Sequence, residues 1–206
     1  MKILITAGPT REMIDDVRFI SNLASGQLGI HLAELLADEM NEVILVLGPT
    51  HLKVRECDNL SVINVVSAKD MFYAVNAEFA DVDVFIASAA VADYQPKKRI
   101  IGKIKKNEDS LNIEFVRTPD ILKEMGAIKD KQYMIGFALE ADNALENAQK
   151  KLSEKNCDII VLNSAANLGE SGKDQISFVK NDGICKSFNN LSKIEQAREI
   201  IKLFTT

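Results

Sequence analysis

Short runs of apolar, mostly β-branched residues recur between amphipathic stretches, and this alternation constrains the fold more than any other feature. The runs KILITA at 2–7 and EVILVL at 42–47 are typical of strands buried on both faces of a parallel sheet. A Gly-Pro-Thr turn stops each of them. Strands that alternate with helices predict an α/β fold, doubly wound and Rossmann-like, with a mostly parallel sheet.

The remaining elements follow from the same periodicities. The predicted strands are Lys2–Ala7, Glu42–Leu47, Leu60–Val66, Asp83–Ala87, Tyr133–Phe137 and Asp158–Leu162, and helices are predicted at Ser25–Leu36, Ala68–Phe79, from Pro119-Asp120, Asn143–Lys155 and Ser192–Phe204. A hairpin is expected around Asn181-Asp182-Gly183. A second hairpin should pair Ile100–Ile104 with Leu111–Val116 across a turn at 107–110. We expect one domain over residues 1–206, with residues 95–117 as a protruding β-hairpin arm.

Composition excludes several classes of protein. The net charge of -5 and the pI near 5.2 argue against a nucleic-acid-binding protein whose whole surface is basic, although they allow a local basic pocket. Three widely spaced cysteines, without a CxxC pair, indicate reduced thiols rather than a disulfide framework or a zinc site. We identify no signal peptide and no run of about 18 apolar residues that could span a membrane. We therefore expect a soluble, cytoplasmic protein without a nucleic-acid or membrane partner.

The segment Ile86–Lys106 concentrates the chemically useful residues. It passes from small residues through Asp93 into a cluster of lysines around Lys103. In an acidic chain, clustered cations indicate an anionic ligand such as a polyphosphate or an acyl phosphate. The competing interpretation is a solvated basic face, or lysines that protect a hairpin from aggregation. However, a two-stranded hairpin is marginally stable alone, and its apolar side chains need a partner surface, so we expect a dimer whose lysines reach a neighbour's site.

Three other positions could bind an anion, each with a simpler explanation. The helix that begins at Ser25-Gly26 offers free N–H groups to a phosphate, but the Gly26-x-x-Gly29 spacing often serves only close packing. On spacing alone, Asn22 fits a turn cap better than a ligand contact. Lys151 and Lys155 share one helix face, which taken alone favours surface solvation.

A nicotinamide-dependent oxidoreductase is the main alternative on this fold. The GxGxxG loop is missing, because about seventeen residues separate Gly8 from Ser25. The second strand ends in Gly48-Pro49 rather than in an acid that would bind a ribose. Tyr94-x-x-x-Lys98 has the spacing of a catalytic pair, but Pro96 lies between them and opposes the required helical turn. A non-catalytic nucleotide-binding subunit is the other alternative.

Several segments, in the same order, resemble one enzyme family. They are ITAGPTRE at 5–12, VRFISNLASGQLG at 17–29, AAVADY at 89–94, GKIKK at 102–106, TPDIL at 118–122 and GFALE at 136–140. The resemblance is to the phosphopantothenate–cysteine ligases (phosphopantothenoylcysteine synthetases), the CTP-using bacterial type in coenzyme A biosynthesis. In many bacteria this domain is fused behind a flavin-dependent phosphopantothenoylcysteine decarboxylase, so the chain is either a stand-alone enzyme or an excised domain. An association with such a decarboxylase is a further expectation.

The resemblance implies a two-step ligation. The carboxylate of 4'-phosphopantothenate attacks the α-phosphate of CTP, giving 4'-phosphopantothenoyl-cytidylate and pyrophosphate, and the amine of cysteine then displaces CMP. Lys103 matches the family's catalytic lysine, which would neutralise phosphate charge together with Mg²⁺. Asn22 matches the asparagine near the acyl-cytidylate, where its amide could hold the acyl oxygen, and is the second implied catalytic residue.

The same match implies a set of binding residues. Those for the nucleotide would be Gly8, Ser25, Gly26, Ala89, Asp93, Lys103, Pro119, Asp120, Ile121, Leu122, Phe137, Lys151 and Lys155, and those for the substrate Asn22, Ala89 and Ala90. Mg²⁺ would be held mainly through the CTP phosphates. Whether Asp93 contacts the metal, the ribose or the base stays open. Leu23-Ala24 departs from the family, where a polar pair often precedes Ser25, and this leaves phosphate binding to backbone amides and Ser25.

Overall fold

The computed structural model of the chain describes residues 1–105, 110–140, 142–164 and 174–205, and the side chains of all of these except 164, 174, 184 and 185. Its strands are β1 (Lys2–Ala7), β2 (Arg11–Met13), β3 (Phe19–Ser21), β4 (Glu42–Leu47), β5 (Leu60–Asn64), β6 (Val84–Ala87), β7 (Tyr94–Pro96), β8 (Phe115–Arg117), β9 (Tyr133–Glu140), β10 (Ile159–Ser164), β11 (Asp174–Lys180) and β12 (Gly183–Leu191). Its helices are α1 (Gln27–Asp38), α2 (Ala68–Glu78), α3 (Ile121–Ala127), α4 (Ala144–Glu154) and α5 (Lys193–Ile201), with a 3₁₀ turn at Phe79–Asp81.

The central sheet has eight strands in the order β12-β11-β10-β9-β6-β1-β4-β5. The six strands from β10 to β5 are parallel, and β11 and β12 form an antiparallel hairpin at one edge. The chain winds outward from β1 in one direction through β4 and β5, and in the other through β6, β9 and β10. The strand order therefore reverses between β1 and β6, which is where doubly wound sheets bind ligands. The predicted fold class is confirmed.

Helices cover both faces of the sheet and bury its apolar strands. Five of the six residues of β1 and five of the six residues of β4 are buried, as expected for strands covered on both sides. Side chains of α1 and α5 pack in the core on one face. Side chains of α2, α3 and α4 pack in a second core on the other face. The carboxyl edge of the sheet lies between these two layers of helices.

Side-chain caps begin three of the helices, α2, α3 and α5. Ser67 and Asp70 form a capping box at α2, and Ser192 and Glu195 form another at α5. Asp120 caps α3 through a hydrogen bond from the Lys123 N–H (3.0 Å). No described helix is long and apolar enough to cross a membrane. The described thiols are free, and burial of Cys157 in the core raises the pKa of its thiol to about 12.

The arm differs from its prediction. The strands that pair are β7 and β8, with Tyr94 opposite Arg117 and Pro96 opposite Phe115. The expected pairing of Ile100–Ile104 with Leu111–Val116 is wrong, because segment 100–104 lies against residues 14–18 instead. Residues 107–109 of the expected turn lie outside the described residues.

Three further differences concern the gaps between the predicted elements and the ends of the strands. The segment between β1 and α1, where no strand was predicted, contains the small antiparallel pair β2–β3. Strand β9 continues to Glu140, three residues beyond its predicted end. Strand β5 ends two residues earlier than predicted, at Asn64. These differences leave the order of the elements unchanged.

Candidate active site

A cavity of about 590 Å³ opens at the carboxyl edge of the sheet, beside the switch point between β1 and β6. The ends of β6 and β8, the middle of β9 and the facing surfaces of α3 and α4 form its walls. Its lining residues are Thr6, Ala87, Ala89, Val91, Ala92, Asp93, Tyr94, Arg117, Thr118, Pro119, Asp120, Ile121, Leu122, Phe137, Lys151 and Lys155. The structure thus brings together nine of the residues assigned to the nucleotide: Ala89, Asp93, Pro119, Asp120, Ile121, Leu122, Phe137, Lys151 and Lys155.

Two buried threonines of the β1 region hold the small-residue floor of this cavity. The Ala89 N–H donates to Thr6 Oγ1 (3.3 Å), and the Ala92 N–H donates to Thr10 Oγ1 (3.0 Å). Thr6 and Thr10 are almost fully buried. Because side-chain hydroxyls satisfy these N–H groups, the segment after β6 can leave the sheet in a fixed conformation. The fixed segment carries alanines, so a ligand can approach its backbone closely.

The opposite wall places two lysines beside Asp120. Helices α3 and α4 approach closely at Gly126, where an added Cβ would lie 2.0 Å from the Lys155 carbonyl oxygen. This approach lets the Lys155 ammonium pair with the Asp120 carboxylate. Lys151 donates to the carbonyl oxygen of Phe137 (2.7 Å). The two lysines therefore face the cavity, and the surface solvation that their spacing alone favours is wrong.

Opposing effects act on the Asp120 carboxyl. Burial raises its pKa, but the hydrogen bonds from Lys155 and the Lys123 N–H, with the charges of Lys155 and Lys151, outweigh burial and hold the pKa below its ordinary value. The carboxylate stays ionised and neutralises part of the positive charge of this wall. It also fixes Lys155 in one place.

Arg117, which the sequence analysis did not single out, also lines the cavity. It is exposed, and no described side chain forms a hydrogen bond or an ion pair with its guanidinium. The signal for Arg117 in the sequence was its position as the basic residue immediately before TPDIL.

Thr118, the next residue, attaches the end of β8 to the cavity floor. Its Oγ1 donates to the Ala92 carbonyl (2.5 Å), and its N–H donates to the Asp93 carbonyl (3.0 Å).

A second group of predicted residues lies beside the cavity at the start of α1. Gly8 and Gly26 both have positive φ (78° and 82°), and a Cβ on Gly26 would lie 2.9 Å from the Gly8 Cα. Only glycine permits this contact between the end of β1 and the start of α1. A Cβ on Gly29 would lie 2.4 Å from Ala7 Cβ, so close packing is one role of the Gly26-x-x-Gly29 spacing. Ser25 is exposed next to this contact.

Asn22 connects the two groups. Its Nδ2 donates to the carbonyl oxygens of Ala90 (3.2 Å) and Val91 (3.1 Å), and the Ala90 N–H donates to the Gly8 carbonyl (2.9 Å). Among the described residues it is Ser25 Oγ, not Asn22, that accepts an N–H at the start of α1, that of Gln27 (3.3 Å). The capping role that spacing alone favoured for Asn22 is therefore wrong. Asn22 instead lies over the segment that forms the cavity floor.

Lys103 does not line the cavity of its own chain. It is exposed in the segment after β7, and no described residue forms an ion pair with it. Its neighbours Gly102 and Ile104 are bonded to Asp16 and Asp15, respectively. The lysine therefore projects from a loop whose backbone is fixed on both sides of it.

The donor set of the cavity indicates how Mg²⁺ could be held. Among the described residues there is no group of three or more His, Cys, Asp and Glu side chains suited to a metal. Asp93 is an exposed carboxylate in the cavity without a described side-chain partner, whereas Asp120 is paired with Lys155. Since Mg²⁺ commonly uses one or two carboxylates together with substrate phosphates, these residues fit a metal that arrives with a nucleotide.

Comparisons with known proteins identify the family. Residues 1–206 match the family described as "DNA/pantothenate metabolism flavoprotein C-terminal domain". The chain belongs to this family. A solved structure of the C-terminal domain of the coenzyme A biosynthesis bifunctional protein CoaBC is 43% identical, with a TM-score of 0.80, over 98% of this chain and 92% of that one. The DNA/pantothenate metabolism flavoprotein from Streptococcus pneumoniae is 26% identical, with a TM-score of 0.88, over 98% and 97%.

Curated relatives add names for longer proteins. The bifunctional protein CoaBC of Bacillus subtilis (strain 168), named for coenzyme A biosynthesis, is 39% identical over 97% of this chain and 50% of its own length. A protein named cysteine/cysteine sulfinic acid decarboxylase, from an unknown prokaryotic organism, is 41% identical over 100% of this chain and 58% of its own length. The chain thus spans about half the length of the curated relatives that it matches.

Proposed function

We propose that the chain is a CTP-dependent acid–amino-acid ligase of coenzyme A biosynthesis, which joins 4'-phosphopantothenate and L-cysteine to give 4'-phosphopantothenoylcysteine. The observation that carries this proposal is the cation-lined cavity at the switch point, where nine family-matched residues converge from four separate segments. The size of the cavity, about 590 Å³, falls in the range of small-molecule sites. The names of the relatives support coenzyme A biosynthesis as its setting.

In this proposal the nucleotide occupies the cavity, and its phosphates lie against the positively charged side chains of the cavity wall. Lys151, Lys155 and Arg117 surround the space that the phosphates would enter. At the start of α1, Ser25 Oγ accepts the Gln27 N–H (3.3 Å), and the other N–H groups of this first turn would face the other end of the anion. Bound Mg²⁺ would supply further neutralisation of the phosphate charge, with Asp93 as one available ligand.

The ligation brings two anions together, so the essential contribution of the protein is the placement of positive charge and hydrogen-bond donors. In the first step the substrate carboxylate forms a bond to the α-phosphorus of CTP and pyrophosphate leaves. Lys103 would stabilise the charge that accumulates on the phosphates. In the second step the amine of cysteine forms a bond to the acyl carbon and CMP leaves. Asn22, held over Ala90 and Val91, would orient the acyl group for that attack.

The test is pyrophosphate release from the purified protein with Mg²⁺, 4'-phosphopantothenate and either CTP or ATP, with and without cysteine. We expect release that requires both phosphopantothenate and CTP and becomes catalytic with cysteine. Release with ATP but not with CTP would support the same ligation with ATP as the nucleotide. Absence of release with either would favour the non-catalytic nucleotide-binding subunit.

Two parallel measurements on the same purified protein test other activities. Tight binding of NADPH without binding of CTP would favour the oxidoreductase. One relative is named a decarboxylase, so CO₂ is measured in parallel with cysteine or its sulfinic acid as the only substrate. Release of CO₂ without release of pyrophosphate would show that the protein is a decarboxylase and not a ligase.

The setting of the enzyme is part of the proposal. We propose a cytoplasmic homodimer whose partners are the small-molecule substrates and, in some organisms, a phosphopantothenoylcysteine decarboxylase. Ile101 and Leu111 remain exposed on the arm, as do Tyr94 immediately before the arm and Leu23 near the start of α1. A second copy of the chain is the proposed cover for these apolar side chains.

A further inference from the structure

The loop that carries Lys103 is attached to a short acidic turn of the same chain. The basic loop is defined here as residues 99–105 and the acidic turn as residues 14–18. Asp16 Oδ2 accepts the Gly102 N–H (2.8 Å), and Asp15 Oδ2 accepts the Ile104 N–H (3.1 Å). The residues before and after Lys103 are therefore each bonded to one carboxylate. Lys103 is itself free to project between them.

Additional bonds fix the ends of the basic loop. Asp16 Oδ1 accepts from Arg99 (2.9 Å), and the Ile100 N–H donates to the Ile14 carbonyl (3.0 Å). The guanidinium of Arg18 donates to the Ile104 carbonyl (2.9 Å). Gly102 has φ near +79°, a conformation that side chains rarely adopt, so the loop makes a sharp turn immediately before Lys103.

The acidic turn is itself rigid. The Asp15 side chain is fully buried and also accepts the N–H groups of Val17 (2.9 Å) and Arg18 (2.8 Å). Arg18 Nε completes the set with a bond to Asp15 Oδ2 (2.9 Å). A carboxylate that orders its own turn and also accepts from Ile104 cannot release one partner without weakening the whole network.

The acidic turn also continues directly into Asn22. Strand β3 follows the turn and ends at Ser21, whose Oγ donates to the Thr10 carbonyl (2.7 Å). Asn22 comes next and is bonded to the cavity floor. One stretch of nine residues, 14–22, therefore holds both residues that the proposed mechanism uses as catalytic groups, Lys103 through its loop and Asn22 directly.

We infer that Asp15 and Asp16 are positioning residues for the activation step, because they hold the backbone on either side of Lys103 and so fix the direction in which its ammonium projects. This inference rests on the proposed function for its chemistry. Displacement of a catalytic group by about 1 Å can slow a reaction about a hundredfold. Loss of this attachment should therefore affect pyrophosphate release far more than the cysteine step.

The test uses Asp16, because removal of the buried Asp15 would threaten folding. The variants are Asp16→Ala, which removes both acceptors, and Asp16→Asn, whose carbonyl oxygen can still accept the Gly102 N–H. The matched control is Asp38→Ala, since Asp38 is an exposed aspartate that also pairs with an arginine, Arg55 (2.7 Å). Each is measured in single-turnover pyrophosphate release, in consumption of preformed acyl-cytidylate by cysteine, and by hydrogen exchange of peptides that contain Gly102.

We expect Asp16→Ala to slow pyrophosphate release by about 10- to 100-fold, with a near-normal cysteine step and faster exchange at Gly102. Asp16→Asn should recover most of the rate and most of the protection, and Asp38→Ala should match wild type in every assay. The double variant Asp16→Ala/Lys103→Gln should be no slower than Lys103→Gln, because Asp16 acts through that lysine.

Three results would overturn the inference. They are a normal release rate in Asp16→Ala, unchanged exchange at Gly102, and additive losses in the double variant. If the wild-type protein releases no pyrophosphate, the proposed function fails and the inference fails with it. If the wild-type protein releases pyrophosphate and Asp16→Ala releases it equally fast, the proposed function stands and only the positioning inference fails.

Discussion

Arg117 is the cavity cation that the sequence analysis missed, and its position suggests a direct role in binding. It is the cavity cation without a described partner, whereas Lys155 pairs with Asp120 and Lys151 donates to a carbonyl. An unpaired guanidinium at the cavity can meet an incoming phosphate without first breaking another bond. The signal in the sequence, a basic residue before TPDIL, is weak, because a lone arginine before a Thr-Pro-Asp turn is equally typical of a solvated surface charge.

We therefore expect Arg117→Gln to weaken CTP binding by about tenfold, the loss of one charge-assisted hydrogen bond. The measurement is a calorimetric titration with CTP and Mg²⁺. Lys123→Gln is the control, because Lys123 is an exposed cation on α3 that does not line the cavity. Equal losses in the two variants would mean that only overall charge matters.

The ion pair between Asp120 and Lys155 should make a pH-dependent contribution to stability. The folded protein lowers the pKa of Asp120, so the contribution is present above the unfolded pKa of about 3.9 and is lost as the pH falls through the lower folded value. Asp120→Asn should keep the helix cap and lose less than about 1 kcal/mol of unfolding free energy at pH 7. Urea unfolding at pH 7 and near pH 3 measures the difference.

That difference between Asp120→Asn and wild type should be smaller at the lower pH, because part of the Asp120 contribution is lost between the unfolded pKa and the lower folded value. Asp58→Asn provides the comparison, since Asp58 is exposed and has no described side-chain partner. A loss of stability in Asp120→Asn that is independent of pH would show that the lysine pair contributes nothing and that only the cap was changed.

At the scale of elements, the parallel strands could be predicted closely and the arm could not. β1 and β4 are continuous apolar runs bounded by glycine and proline, and their predicted and observed limits coincide. The predicted pairing of Ile100–Ile104 with Leu111–Val116 is wrong, because an alternating sequence pattern gives no information about hydrogen-bond acceptors in distant parts of the chain. The carboxylates of Asp15 and Asp16 capture the amides of residues 104 and 102, and this tertiary interaction overrides the local β-propensity.

The start of α1 shows a similar limit of sequence reasoning. The glycine spacing fits both a phosphate loop and close packing, and the structure shows the packing directly. We expect Gly29→Ala to lower the unfolding free energy by about 1 to 3 kcal/mol, because its Cβ would overlap Ala7 Cβ and Ser88 Oγ at 2.4 and 2.6 Å. Urea unfolding measures this loss.

CTP titration of the same Gly29→Ala protein reports on the neighbouring site. We expect weaker binding, because the displaced helix start would move its free N–H groups. Gln27→Ala, on the exposed side of the same turn, is the control and should leave both quantities unchanged. Wild-type stability in Gly29→Ala would show that α1 has room to shift, contrary to the packing described here.

At the scale of the whole molecule, the positions of Lys103 and the cavity suggest a site shared between two copies. Lys103 does not line the cavity of its own chain, yet the resemblance assigns it to the nucleotide. The arm that carries it exposes Ile101 almost completely, with Leu111 half exposed. A second copy packed against the arm would cover these side chains and could bring the lysine of one chain to the cavity of the other.

A mixed dimer tests this arrangement. Homodimers of Lys103→Gln, with the change in the basic loop, and of Lys155→Glu, with the change in the cavity, should each be nearly inactive. If Lys103 serves the partner's cavity, a purified heterodimer of the two variants combines one intact cavity with one intact lysine and should show about half of wild-type activity. If Lys103 serves its own cavity, every site in the heterodimer carries one defect, and pyrophosphate release stays at the level of the separate variants. Two different affinity tags isolate the heterodimer, and the Asp38→Ala protein, tagged in the same way, controls for the tags.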